Sequence, residues 1–115
     1  MQHKKNLVIQ ITNDSYGSGS GSLGETLMKS YMYALTEIEP YPETILFINT
    51  GARLTAANSP VLDSLRQLET AGVKILTCGT CINFLKLNET PEVGKVTNMY
   101  DIVEKMNSAV NTIVI

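Results

Sequence analysis

Short apolar runs alternate along this chain with stretches of helical period. Leu7-Val8-Ile9-Gln10-Ile11-Thr12 is almost continuously apolar, as in a strand covered on both faces within a parallel sheet. After a Gly/Ser stretch from Gly17 to Ser22, Leu23, Leu27, Tyr31, Ala34 and Ile38 recur as one helical stripe, with Met28, Met32 and Leu35 beside it. Pro40 and Pro42 cannot continue that helix. Thr44 to Asn49 predicts a second buried strand, followed by a polar loop through Gly51 and Arg53. Ser59-Pro60 predicts a helix start, with Ser59 as cap and Pro60 first in the helix. Val61, Leu62, Leu65 and Leu68 form its apolar face, and Gly72 closes it in a left-handed conformation. Val73 to Thr77 is a third strand running directly into Cys78.

Residues 81 to 87 predict a short helix and Val93 to Thr97 a short strand. Asn98 is placed to cap a helix over residues 99 to 107, with Asp101 reaching back to it. Val110 to Ile115 is the last strand. This strand–helix alternation predicts a three-layer α/β/α sandwich with a mostly parallel five-stranded sheet, one domain over residues 1–115. In such sheets ligands sit outside the carboxyl ends of the strands. Asn13, Asp14, Asn49, Thr50, Gly51, Cys78 and Asn98 fall at those ends, where candidate pocket residues are expected.

Composition narrows the function classes. A chain of 115 residues buries roughly two thirds of its unfolded surface, enough for one core. The formal net charge of −2 leaves no basic excess for phosphate, so nucleic acid is not an expected partner. No apolar run approaches the roughly 20 residues a membrane span needs, and the start of the chain lacks a signal-peptide pattern. The expected location is the cytoplasm.

Cys78 and Cys81 are the only cysteines and form Cys-x-x-Cys. A disulfide between them closes almost no loop and stabilises little. In a cytoplasmic chain the spacing points instead to redox, sulfur-transfer or metal chemistry. Cys78 ends a strand just before a helix, where unpaired amides and the helix dipole favour thiolate, the reactive form. Gly79 permits a close turn, and Thr80 can donate to sulfur. Cys81, one turn on, can attack a sulfur species carried by Cys78. The alternative is two buried cysteines packing as small hydrophobes. Structural zinc wants four ligands, and the only histidine, His3, stands at the far N-terminus. No metal site and no cofactor are expected.

Gly19-Ser20-Gly21-Ser22-Leu23-Gly24 matches a dinucleotide fingerprint. Its first glycine comes too long after the strand, and Asn49-Thr50 offers no carboxylate for a ribose. A loop binding a small anion or nothing is the better reading. Met28 and Met32 are expected to pack in the core, and Tyr31, Tyr33, Tyr41 and Tyr100 to pack or form interfaces. Arg53 is expected to be a solvated surface arginine.

The segment Val73 to Cys81, reading VKILTCGTC, resembles the cysteine motif of the DsrE/DsrF-like sulfur-relay family. Within that family it is most similar to the C-terminal domain of the YedF-type sulfurtransferase-like selenium-metabolism proteins. The resemblance extends over QITND at 10–14, LGETLM at 23–28, LFINTG at 46–51 and TNMYDI at 97–102. Leu85-Lys86 stands where many relatives carry Arg-Gly, and the TusA-like N-terminal domain usual in the selenium-linked proteins is absent from the sequence. The resemblance implies a DsrE-like fold, homo-oligomers, and a persulfide on the cysteine matching Cys78. It also implies protein partners that donate and accept sulfur, a TusA-like carrier among them.

The leading expectation is therefore a sulfur or selenium carrier, sulfurtransferase-like. Cys78 takes up sulfane sulfur, Cys81 is a spectator or resolves it, and Gly79 and Thr80 stabilise the anionic sulfur. Two alternatives stand beside it: a Cys78/Cys81 dithiol–disulfide protein, and a non-enzymatic oligomeric binding subunit.

Overall fold

Five strands lie side by side in the order β4-β3-β2-β1-β5, every neighbouring pair parallel. This is a computed structural model that describes residues 7–115, so the expectation for His3 lies outside them. The elements are β1 (Leu7–Ile11), α1 (Gly21–Glu37), β2 (Thr44–Phe47), a 3₁₀ helix (Asn49–Thr55), α2 (Leu62–Thr70), β3 (Lys74–Cys78), α3 (Gly79–Phe84), β4 (Lys95–Thr97), α4 (Met99–Ser108) and β5 (Asn111–Val114). Register places Ile11 beside Phe47, Phe47 beside Thr77, and Cys78 beside Thr97. The carboxyl ends of four strands therefore share one edge of the sheet. Among the described residues no helix is long and apolar enough to cross a membrane.

Alternation along the strands separates two apolar layers, because successive strand side chains point to opposite faces. Ile9, Ile11, Ile45, Phe47 and Ile75 pack with Met28 and Met32 of α1 and Leu65 and Leu68 of α2. Val8, Leu46 and Cys78 face the other way and pack with Ile102 of α4. Gln10 interrupts the apolar run of β1 on this second face, and its side-chain amide donates to Met106 Sδ at 3.3 Å. The three-layer α/β/α sandwich expected from the sequence is the architecture observed.

Several local expectations are corrected. The buried stripe of α1 is Gly24, Met28 and Met32, while Leu23 is 58% exposed and Leu27 and Ile38 also face outward. The sequence offers two adjacent apolar stripes, and the sheet buries the one carrying the unbranched methionines, which fill irregular gaps. Each buried methionine contributes roughly 1.5–3 kcal/mol. The helix expected at Pro60 begins at Leu62, because Ser59 Oγ accepts the Val61 N–H at 3.3 Å in a preceding turn. Gly72, at φ +100, closes α2 as expected, and the Val73 N–H returns to the Leu68 carbonyl. The polar loop expected after β2 is a 3₁₀ helix that buries Ala52 and Leu54.

Candidate active site

Cys78 is the last residue of β3, and α3 starts immediately after it. A Cβ on Gly79 would lie 3.1 Å from Val96 Cγ1, so the absence of a side chain lets α3 begin tight against β4. Strand alternation turns Cys78 toward α4. It is 3% exposed and packs with Val8, Leu46 and Ile102. Cys81 lies on α3 and is partly exposed. The order of access is thus the reverse of the sequence expectation, in which Cys78 stood in front.

The backbone N–H of Asn49 donates to Cys81 Sγ at 3.1 Å. Asn49 reaches this position in a left-handed conformation, φ +52, which asparagine tolerates better than most residues. Its own Oδ1 accepts the Thr50 N–H at 2.8 Å. Two residues on, Gly51 is pressed onto the end of β1, where a Cβ would come within 2.5 Å of the Ile11 carbonyl oxygen. The Gly51 N–H bonds to the Ile48 carbonyl at 2.9 Å. Close packing of the 3₁₀ helix on β1 therefore aims the Asn49 amide.

A cavity of about 480 Å³ opens beside Cys81. Asn49, Thr50 and Thr80 supply its polar edge, and Ile48, Phe84, Leu85 and Met99 its apolar wall. Among the described residues no lining side chain is charged. Burial pushes the Cys81 thiol above the ordinary cysteine value, the Asn49 N–H pulls it down, and neighbouring Cys78 raises it again. The net direction is upward, so the neutral thiol dominates near pH 7. Desolvation is the largest influence on Cys81, and α3 has only six residues.

Of the residues expected at the site, Asn49, Thr50, Thr80 and Cys81 come together in this cavity. Gly51 supports it from beneath, and Gly79 sets the start of α3. Asn13 ties loops together: its Oδ1 accepts the Ser15 N–H at 3.1 Å and the Thr50 hydroxyl at 3.2 Å. Asp14 pairs with Arg53 at 3.5 Å in a separate shallow cavity that Glu25 also lines. Asn98 caps α4 by accepting the Asp101 N–H at 2.9 Å. The Asp101 carboxylate does not reach back to Asn98 as expected. It accepts the Thr97 hydroxyl at 2.5 Å and Lys105 at 3.0 Å, which hold it below the usual carboxylate range.

Sequence reasoning missed Ile48, Phe84, Leu85 and Met99. One signal was present in the sequence: Phe84 lies three residues after Cys81 in the expected short helix; the structure leaves its ring 84% exposed, unusual for so large an apolar side chain. The others join the cavity only because the 3₁₀ helix, α3 and the start of α4 meet at the sheet edge.

No protein-family description matches this chain, and no curated protein matches it. Among solved structures, the crystal structure of the ychN protein from E. coli is similar over 100% of both chains, with a TM-score of 0.70 at 16% sequence identity. Likeness at that identity establishes the fold. The chain shares the five-stranded parallel α/β fold of that protein, the architecture expected of a DsrE-like chain.

Proposed function

We propose that this protein carries sulfane sulfur on Cys81, with Cys78 as the buried second thiol. One observation carries the reading: the partly exposed Cys81 sulfur accepts the Asn49 amide at the edge of an open cavity. That amide favours negative charge on sulfur as it develops. The resemblance to sulfur-relay proteins supplies the class of chemistry.

The step balances without a cofactor. Cys81 loses its proton to solvent, and the thiolate attacks the outer sulfur of a donor R–S–SH. The donor S–S bond breaks, R–S⁻ leaves with the electron pair and takes up a proton, and Cys81–S–SH remains. Delivery to an acceptor thiolate is the same exchange in the other direction. A selenium atom in place of the outer sulfur follows the same path.

A dithiol–disulfide protein is the second reading, favoured by the interaction between the two thiols. Mass spectrometry after incubation with a persulfide donor separates them. The expected result is one added sulfur on Cys81, kept in Cys78→Ser and lost in Cys81→Ser. A Cys78–Cys81 disulfide with no added sulfur in Cys78→Ser establishes the second reading instead. Loading of Cys78 in the Cys81→Ser variant overturns the assignment of the entry thiol.

A further inference from the structure

We propose that the Cys81 cavity selects its sulfur electrophile by charge, accepting uncharged apolar donors and discriminating against anionic ones. This rests on Cys81 being the entry thiol. The cavity, about 480 Å³, is within the range of small-molecule sites. Phe84, Met99, Leu85 and Ile48 form its wall, and among the described residues no lysine, arginine or histidine lines it. An anionic donor such as thiosulfate gives up part of its hydration against this apolar wall with no described cation beside it, which opposes its approach to Cys81. The Asn49 N–H is already directed at Cys81 Sγ and serves the attacking sulfur, not a distant carboxylate or sulfonate. An aromatic ring and a thioether instead favour polarizable sulfur and apolar substituents. Described charged residues close in sequence to the lining stay outside it or are paired. Lys86 is not part of the lining, Arg53 pairs with Asp14 at 3.5 Å, and Lys105 pairs with Asp101 at 3.0 Å.

The test uses two aromatic disulfides of similar skeleton on the full chain: neutral dipyridyl disulfide, and the dianionic bis(carboxynitrophenyl) disulfide. In each case the rate counted is the part lost in Cys81→Ser, divided by the rate with N-acetylcysteine amide under the same conditions. The expected normalised rate is roughly tenfold or more higher for the neutral probe. Leu85→Arg, which adds a cation to the wall, is expected to shift the ratio toward the dianion by a similar factor. Equal normalised rates, or a faster dianion, in the unsubstituted protein overturn the proposal. So does a ratio unmoved by Leu85→Arg in a protein that folds. Because these probes carry no sulfane sulfur, charge selection is scored separately from persulfide loading. Either result can fail while the other stands.

Discussion

The Asn49 amide and the Cys81 sulfur, thirty-two positions apart in sequence, meet at 3.1 Å. The contact exists because Asn49 bends left-handed just as the 3₁₀ helix leaves β2. Backbone conformation, and not the asparagine side chain, delivers the hydrogen bond. Asn49→Gly should therefore retain it, since glycine adopts positive φ freely. Asn49→Val should cost roughly 1–2 kcal/mol and slow alkylation of Cys81. Urea unfolding and timed iodoacetamide labelling measure the two effects. Equal behaviour of the glycine and valine variants would show that the bend does not govern the thiol.

Cys81 should titrate above an ordinary cysteine, because burial and the nearby Cys78 outweigh the Asn49 N–H. The rate of iodoacetamide labelling against pH should have its midpoint above that of a short cysteine peptide. Cys78→Ala removes one raising influence and should lower the midpoint. The sign for stability follows. The folded chain holds the Cys81 proton more tightly than the unfolded chain, so the contribution is complete below the unfolded thiol value. It is lost as pH rises through the higher folded value. The urea midpoint should fall over that alkaline window, and less steeply in Cys81→Ser.

Gly51 lies between the Asn49 turn and the end of β1. Gly51→Ala drives a methyl against the Ile11 carbonyl oxygen, a backbone atom that cannot rotate away. The expected destabilisation is about 1–3 kcal/mol by chemical denaturation. Cys81 labelling should change with it, because the same short segment positions Asn49.

The Thr55 and Thr77 hydroxyls meet at 2.8 Å in the core, and Thr55 also bonds to the Ala52 carbonyl at 3.1 Å. If Thr55 donates to Ala52, Thr77 donates to Thr55. Thr55→Val then strands a buried Thr77 hydroxyl and should cost about 1–3 kcal/mol. Thr77→Val leaves Thr55 bonded to Ala52 and should cost about 1 kcal/mol. The double variant should cost less than the two singles added, as a double-mutant cycle by urea unfolding would measure.

The five strands, a mostly parallel sheet and the strand-end position of Cys78 were all legible in the residues. Runs such as Leu7 to Ile11 and Thr44 to Phe47, spaced by helical stretches, leave few other ways to cover both faces of a sheet. Gly72 was readable as a helix stop because a left-handed residue there is a local backbone requirement. Which thiol meets solvent was not readable. That depends on Ile102 of α4 covering Cys78, and on the 3₁₀ helix bringing Ile48 and Asn49 beside Cys81. Sequence by itself determined the alternation of faces along each strand, because that period belongs to the backbone. Only the tertiary structure decided what lies over each face, because side-chain access is set by the segments packed above it and these come from distant parts of the chain.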